Sequence, residues 1–177
     1  MPEDLNNKKT WGLPHSENCF VCGECNPDGF RGRFEIDEDL QVYFRFKGRS
    51  SMQGYGTVMH GGLQATILDE TMGWATAVSC KRMTVLAEIT VRYLRRTPIE
   101  ADLVAEAWVT ASGSRLIKAE GIIRDAEGTI YTRAIGKFSR LSLEETRFVD
   151  EHLIYHEGDM RIFADLPVSE KAGIKAI

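Results

Sequence analysis

Residues 54–79 read GYGTVMHGGLQATILDETMGWATAVS. After the glycine-rich start and the triplet His60-Gly61-Gly62, this stretch contains no proline and only one more glycine, Gly73. Its bulky side chains recur every three or four residues, at Leu63, Ile67, Thr71 or Trp74, and Val78. That period predicts a helix with one buried stripe, around which the rest of the chain must be arranged.

Two adjacent carboxylates, Asp69 and Glu70, interrupt this predicted helix. Most other positions carry Ala, Thr or Met instead of Lys and Glu. A helix this apolar on all sides is normally enclosed by protein. An enclosed carboxylate is costly unless it has a partner or a chemical task. The helix is therefore the first candidate for a functional site.

The bulk composition limits the classes of protein to consider. A chain of 177 residues can bury one sizeable core, so a single domain is the default. The net charge of −4, without a long basic stripe, argues against a nucleic-acid partner. The first residues lack an apolar secretion signal, and no run of about 18 apolar residues occurs. We therefore expect no membrane partner and a cytoplasmic location.

Alternating patterns on both sides of the helix predict six β-strands. They cover residues 30–36, 40–46, 84–94, 102–111, 116–124 and 129–140. The predicted inner faces are Leu40, Val42, Phe44 and Phe46 in the second strand and Ala87, Ile89, Val91 and Tyr93 in the third. One helix cannot supply the crossovers of a parallel sheet this large. We predict an α+β fold, a curved antiparallel sheet wrapped around one central helix.

The two ends of the chain are predicted to lie outside this unit. Residues 1–18 form an arm with Trp11 and Leu13 as anchors, residues 19–141 the domain, and residues 142–177 a C-terminal extension. Ser142 and Glu145 have the spacing of a capping box, which predicts a short amphipathic helix over residues 143–156. His152 and His156 would lie one turn apart on it and could share a metal, although polar helices often carry such pairs without a ligand. Residues 158–177 are expected to be weakly ordered.

Three of the four cysteines, Cys19, Cys22 and Cys25, are clustered, and His15 precedes them. Together they have metal-ligand spacing, and zinc takes four such ligands. All four come from one short segment, however, whereas structural zinc sites usually draw ligands from separate segments. We therefore favour buried or capped thiols over metal binding and over redox chemistry, and predict a functional site without metal or cofactor.

Several short motifs along residues 19–140 are similar to those of a known family. They are CFVCG at 19–23, NPDG at 26–29, QGYG at 53–56, HGG at 60–62, LDETMG at 68–73, VRYLR at 91–95 and GKF at 136–138. With these motifs the sequence resembles the hot-dog fold acyl-CoA thioesterases of the phenylacetate-pathway (PaaI-like) type. The most specific signal is the Asp nine residues after the His of the HGG triplet.

The resemblance implies hydrolysis of an acyl-CoA thioester by a homodimer or a dimer of dimers. By position, Asp69 is the family's helix carboxylate and Gly61 donates a backbone N–H to the thioester oxygen. His60 orients the same loop or contacts the substrate. One departure concerns Leu86, which stands where some relatives carry a Thr or Ser that holds the attacking water. A second is Arg95-Arg96-Thr97-Pro98, where many relatives read Arg-Pro.

The chemistry of the residues supports the same roles. Water attacking a thioester builds negative charge on oxygen, which the free N–H groups at a helix start can stabilise. Asp69 could act as general base if burial raises its pKa, or could attack the carbonyl itself. Glu70 points about 100° away around the helix and has a more structural role.

Substrate-binding candidates surround these catalytic ones. They are Gln53, Gly62, Glu70, Leu86, Arg92 and Arg115. For the phosphates of coenzyme A, the candidate cations are Arg92, Arg95, Arg96, Arg115 and Lys118, and Arg115 is preferred because it follows a turn.

The spacing of Gly61 and Asp69 predicts that the site is shared between two chains. Eight residues of helix separate them by about 12 Å, too far for both to reach one carbonyl carbon. Two helices related by a twofold axis could bring the Gly61 of one to the Asp69 of the other. The main alternative is a non-catalytic acyl-CoA-binding or interaction module on the same fold. A hot-dog hydratase is disfavoured because no histidine completes its Asp-x4-His pair.

Overall fold

The structure, a computed structural model, describes residues 8–166. The first seven residues of the predicted arm, and most of the segment expected to be weakly ordered, lie outside the described residues. Within residues 8–166 no helix is long and apolar enough to cross a membrane. The domain boundaries proposed from the sequence stay predictions.

Seven strands form one antiparallel sheet, and two short strand pairs lie outside it. In spatial order the sheet comprises β1 (Thr10–Gly12), β3 (Phe34–Asp37), β4 (Val42–Lys47), β8 (Asp102–Ser112), β9 (Leu116–Asp125), β10 (Ile130–Arg140) and β7 (Thr84–Tyr93). The outlying pairs are β5 (Gln53–Tyr55) with β6 (Val58–Met59), and β2 (His15–Ser16) with β11 (Leu153–Ile154). The antiparallel sheet packed on one long helix confirms the predicted fold.

The long helix α1 runs over Gly61–Cys80 and packs on strands β4 and β7–β10. His60 caps its start, because the Nδ1 atom accepts a hydrogen bond of 3.0 Å from the Gly62 N–H. Lys81 ends the helix in a left-handed conformation, with φ of 52°. Ten of its residues are buried: Gln64, Ile67, Leu68, Thr71, Met72, Trp74, Ala75, Thr76, Ala77 and Val78. The prediction of an enclosed helix is confirmed.

The hairpin between β3 and β4 differs from its predicted form. Leu40 was expected on the inner face, but it is exposed in the turn with φ of 61°. Tyr43 was expected on the outer face, yet it is buried and its hydroxyl donates a hydrogen bond of 2.8 Å to Asp37. Asp37 also accepts bonds from the Asp39 and Gln41 N–H groups, so its carboxylate fixes the turn and ends the alternation.

Strand β7 contains an irregularity that changes which side chains face the helix. Against β10, Lys137 pairs with Glu88, but the next residue, Phe138, pairs with Leu86, so Ala87 is passed over. A bulge of this kind shifts the alternation by one residue. Leu86 therefore packs against the core and Ala87 is exposed, contrary to the predicted inner face.

The two ends of the described chain meet on the domain. Strand β2 pairs with β11, and Arg33 forms an ion pair of 2.6 Å with Asp159. Helix α2 covers Leu143–Asp150 and begins with the predicted capping box. It is shorter than the predicted helix because the chain turns after Asp150 into β11. The pairing of His152 with His156 on one helix is therefore wrong.

Candidate functional site

The start of α1 leaves one backbone donor available. The Gly62 N–H is bonded to the His60 ring, whereas the Gly61 N–H has no acceptor among residues 8–166. The carbonyl oxygen of Gly61 accepts a hydrogen bond of 2.9 Å from the Tyr93 hydroxyl, at the end of β7. The strand thus fixes the first helical residue while its N–H stays free, at the positive end of the helix dipole.

A buried amide anchors this helix start to the sheet. The side chain of Gln64 accepts hydrogen bonds from the hydroxyls of Thr97, at 2.8 Å, and of Thr132. Its side-chain nitrogen donates a hydrogen bond of 3.2 Å to the Met59 carbonyl oxygen. All three side chains are buried, so water does not compete for these hydrogen bonds. The Gln64 amide therefore fixes the position of the start of α1 relative to the sheet.

A cavity of about 470 Å³ opens at this end of the helix. It is lined by Tyr55, Val58, Met59, Gly61, Gln64, Tyr93, Leu94, Arg95, Arg96 and Thr97. Its rim is basic because Arg95 and Arg96 lie just beyond the end of β7. The Arg95 guanidinium is held in place by a hydrogen bond of 2.6 Å to the Ile130 carbonyl oxygen.

A second cavity, of about 240 Å³, lies at the middle of the helix beside Asp69. Its walls are mostly apolar: Ser16, Cys22, Thr66, Asp69, Glu70, Gly73, Trp74, Met83, Thr84, Leu86, Phe138, Val149 and Leu153. Asp69 is partly buried and makes no hydrogen bond to another described residue. Burial raises the pKa of its carboxyl above the ordinary value. This carboxylate therefore faces an apolar chamber with its lone pairs unused.

Glu70, the second carboxylate, has two thiol partners from the N-terminal segment. Cys19 Sγ lies 2.9 Å from Glu70 Oε2, and Cys22 Sγ lies 2.9 Å from Glu70 Oε1. Burial, followed by the neighbouring Cys19, raises the pKa of Glu70 to about 8. The hydrogen bond between the Cys22 thiol and the Cys19 sulfur lowers the pKa of Cys19 to about 5. The same hydrogen bond raises the pKa of Cys22. The protonation of each of these three groups therefore depends on the other two.

The remaining predicted site residues lie at different distances from these cavities. Leu86 lines the Asp69 cavity, because of the bulge in β7. Gly62 is exposed in the first turn of α1. Gln53 and Arg92 are exposed on β5 and β7, and Arg115 is exposed in the β8–β9 turn. None of these last three lines either cavity.

One further polar cluster joins the two ends of the chain. His156 Nε2 lies 3.0 Å from one oxygen of Glu24, and His15 Nε2 lies 3.8 Å from the other. His15 is buried, and neither of its ring nitrogens has a hydrogen-bond partner among the described residues. Burial lowers its pKa. The structure therefore groups His15 with Glu24 and His156. It does not group His15 with the cysteines that follow it in the sequence.

Several of these residues were not recognised in the sequence. Tyr93 and Gln64 were assigned only to faces of a strand and a helix, because hydrogen bonds across about 30 residues leave no local pattern. The contact of Cys19 and Cys22 with Glu70 was also missed. Its one available signal was a Cys-x2-Cys-Gly turn in a chain with an unexplained carboxylate on an enclosed helix.

Comparison with known proteins finds similarity to thioesterases over part of the chain. Residues 56–132 match the family profile described as the thioesterase superfamily. A solved thioesterase superfamily protein is 27% identical, with a TM-score of 0.66 over 70% of this chain and 60% of that one. The chain thus spans less than two thirds of the length of this relative. No curated protein sequence matches the chain significantly.

Two more distant structures share the fold. The PaaI protein from the phenylacetic acid degradation operon of E. coli is 18% identical, with a TM-score of 0.59 over 64% of this chain and 81% of its own. A hypothetical thioesterase protein from Streptococcus pneumoniae TIGR4, solved with coenzyme A, is 20% identical, with a TM-score of 0.54 over 58% of this chain and 82% of its own.

Proposed function

We propose that this chain, which has a hot-dog fold and matches the thioesterase superfamily profile over residues 56–132, hydrolyses an acyl-CoA thioester to a free acid and coenzyme A. The observation that carries the proposal is the position of Asp69. It is an unpaired carboxylate with a raised pKa, facing an apolar cavity on a helix whose first N–H is free. The solved relative that contains coenzyme A supports this choice of substrate.

In the proposed reaction, Asp69 takes a proton from water as the water oxygen attacks the thioester carbonyl carbon. The Gly61 N–H of a second copy stabilises the negative charge on the carbonyl oxygen. The carbon–sulfur bond then breaks, and the coenzyme A thiolate leaves with the proton that Asp69 had taken from water. In the second route Asp69 itself attacks the carbon and expels the coenzyme A thiolate, and water then cleaves the resulting anhydride. Both routes use the same two residues.

The need for two copies follows from the two cavities. Within one chain, Gly61 lines the cavity at the helix start and Asp69 the cavity at its middle, so they do not face a common space. Strand β7 is ten residues long and lies at the edge of the sheet, where its outer hydrogen-bonding groups are available. Its side chains Val85 and Tyr93 are about half exposed.

A second copy paired with this edge would complete the site. In an antiparallel twofold pairing of β7 with itself, the Tyr93 end of one strand lies beside the Thr84 end of the other. Tyr93 contacts Gly61, whereas Thr84 and Leu86 line the Asp69 cavity. The free N–H of one chain would then approach the carboxylate of its mate. A homodimer is thus the proposed active unit.

The cavity at the helix start is the proposed location of the coenzyme A moiety. Arg95 and Arg96 on its rim could pair with phosphates, and the apolar chamber at Asp69 would then hold the acyl group. Arg115 was the preferred phosphate partner from the sequence. It lines neither cavity, so Arg96 replaces it in this proposal.

The test is thiol release from a panel of acyl-CoA thioesters of different chain length, including aryl-acetyl thioesters. We expect turnover of at least one class, and a loss of about 10²–10⁴-fold in kcat for Asp69→Asn, the usual worth of a general base. Asp39→Asn, in the exposed β3–β4 turn, is the matched control and should keep full activity. Undiminished turnover in Asp69→Asn would remove this residue from the mechanism.

A non-catalytic acyl-CoA-binding module is the second candidate, and Leu86 favours it. An apolar side chain lines the cavity beside Asp69, where a hydroxyl could have positioned water. Saturable binding of acyl-CoA, with no thiol release across the whole panel, would support this second function over hydrolysis.

A further inference from the structure

The thiols of Cys19 and Cys22 and the carboxylate of Glu70 form a convergent group that the proposed hydrolysis uses neither as base nor as oxyanion donor. Their ligand atoms all lie within 4.8 Å of one another, and no fourth His, Cys, Asp or Glu of residues 8–166 joins them. From this group we infer that the protein binds one Zn²⁺ per chain, held by the two thiolates and Glu70. The inference is independent of the proposed function and departs from the expectation of a site without metal.

The turn that carries the two cysteines has the form of a metal-binding knuckle. The Val21 N–H points at the Cys19 sulfur, with the nitrogen 3.3 Å from it, and such a bond favours the thiolate. The Gly23 N–H closes the turn with a bond of 2.9 Å to the Cys19 carbonyl oxygen. A Cβ atom at Gly23 would lie 2.4 Å from the Cys19 nitrogen, so the tight turn admits only glycine. The turn therefore orients both sulfurs before any ligand binds.

The separation of the donors fits zinc after a small adjustment. Both sulfurs lie 2.9 Å from a Glu70 oxygen. Around a tetrahedral ion with bonds of about 2.0–2.3 Å, neighbouring ligand atoms lie roughly 3.3–3.8 Å apart. The group must open by about half an ångström, which rotation of the partly exposed Cys19 and Glu70 side chains can supply. No movement of helix α1 is needed.

Charge and ligand type select the ion. Once deprotonated, the two thiols and the carboxylic acid carry three negative charges in a largely enclosed place, and a bound cation balances them. Thiolates favour zinc over magnesium or calcium, which prefer oxygen ligands. With three protein ligands, a fourth position stays open to water. Cys22 and Glu70 also line the Asp69 cavity, so this water would lie at the end of that chamber.

The cluster of His15, Glu24 and His156 is a weaker candidate for the same ion. Its ligand atoms also lie within 4.8 Å of one another. Its two rings, however, are stacked with an interplanar angle of 13° and centroids 5.2 Å apart. A metal lies in the plane of each ring that binds it, so two parallel stacked rings do not point at one ion.

The experiment measures metal content directly and does not depend on activity. The full chain is stripped with a chelator under reducing conditions, incubated with Zn²⁺ and gel-filtered, and its zinc is determined by mass spectrometry. We expect about one zinc per wild-type chain. Cobalt in place of zinc should give a thiolate-to-metal charge-transfer band in the near ultraviolet.

Variants separate this site from the other cysteines. Cys19→Ser should lose the zinc and the cobalt band. Glu70→Gln should bind zinc at least about 10–100-fold more weakly, because removing even a residue that only hydrogen-bonds to a metal ligand lowers metal affinity by that factor. Cys25→Ser and Cys80→Ser are the matched controls and should retain one zinc. Because wild-type protein is measured as well, a variant that fails to fold does not decide the outcome.

Three results would overturn the inference. The first is wild-type protein that keeps no zinc after reconstitution. The second is equal zinc loss in the control variants. The third is a Cys19–Cys22 disulfide that persists under reducing conditions while the chain binds no metal, which would assign the pair to redox chemistry.

Discussion

The Tyr93 hydroxyl donates a hydrogen bond of 2.9 Å to the carbonyl oxygen of Gly61, joining the end of the edge strand to the first residue of the central helix. Tyr93→Phe removes this bond and leaves the ring. One hydrogen bond is worth about 0.5–1.5 kcal/mol, and the half-exposed position favours the lower end. We expect kcat to fall a few-fold with little change in KM. Tyr55→Phe, in the same cavity, is the control, and an equal effect there would contradict a positioning role for Tyr93.

The shared site predicts complementation between two inactive variants. Gly61→Pro removes the N–H at the first helical position, where proline fits, and His60 already has the extended conformation that a following proline needs. Gly61→Ala adds the same Cβ atom, 3.2 Å from the Tyr93 ring, but keeps the N–H. We expect Gly61→Pro to lose about 10²–10³-fold in kcat, the usual worth of an oxyanion donor, and Gly61→Ala to lose far less.

Equal amounts of Gly61→Pro and Asp69→Asn should then regain activity after subunit exchange. Half of the dimers would be hybrids with one intact site out of two, so about one quarter of wild-type activity should return. Exchange is verified with differently tagged chains. If verified hybrids stay inactive, both residues act within a single chain.

Leu86 supplies an apolar side chain to the wall of the Asp69 cavity. Leu86→Thr would place a hydroxyl on this wall, and we expect kcat to rise several-fold because the attacking water gains a partner. Val85→Thr adds the same hydroxyl on an exposed position of the same strand and should change nothing. A fall in kcat for Leu86→Thr would show that the apolar wall itself serves the substrate.

The buried amide of Gln64 should contribute to stability. Gln64→Leu leaves the buried hydroxyls of Thr97 and Thr132 without their shared acceptor, and each unsatisfied group costs about 1–3 kcal/mol. We expect the free energy of unfolding in urea to fall by at least about 2 kcal/mol. Gln53→Leu, on exposed β5, should be nearly neutral, and equal losses in both variants would argue against the network.

The pH dependence of stability should report on Asp37. Burial alone would raise its pKa, but hydrogen bonds from Tyr43, from the Gln41 N–H and from Lys8 outweigh it and hold the pKa below the ordinary value. The ionised form therefore stabilises the fold above the unfolded pKa of about 3.9, and this contribution is lost as pH falls. Asp37→Asn should cost about 1–3 kcal/mol near pH 7 and progressively less below about pH 4. A deficit that does not change with pH would contradict this account, and Asp39→Asn is the control.

Periodicity was sufficient to predict the enclosed helix and the antiparallel sheet, because both follow from which side chains must be buried. It failed at Leu40 and Ala87, where a carboxylate-fixed turn and a bulge interrupt the alternation. Both depend on contacts with another strand, which the strand's own sequence does not contain.

The candidate site divides in the same way. Gly61 and Asp69 could be proposed because both lie in short motifs of one predicted helix, which also fixes their separation, and their roles stay predictions. The contact of Cys19 with Glu70 was not, since it joins residues 51 positions apart through a loop without regular structure. The choice of Arg96 over Arg115 as the proposed phosphate partner likewise depended on where β7 ends, which the sequence pattern does not fix.

The skipped residue in β7 lies where the chain could become one residue shorter without changing the walls of the Asp69 cavity. Deleting Ala87 would restore regular pairing with β10, and Leu86 would stay opposite Phe138 with its side chain on the wall. A lineage could therefore remove this residue by a single-codon deletion, without replacing any side chain that lines the cavity.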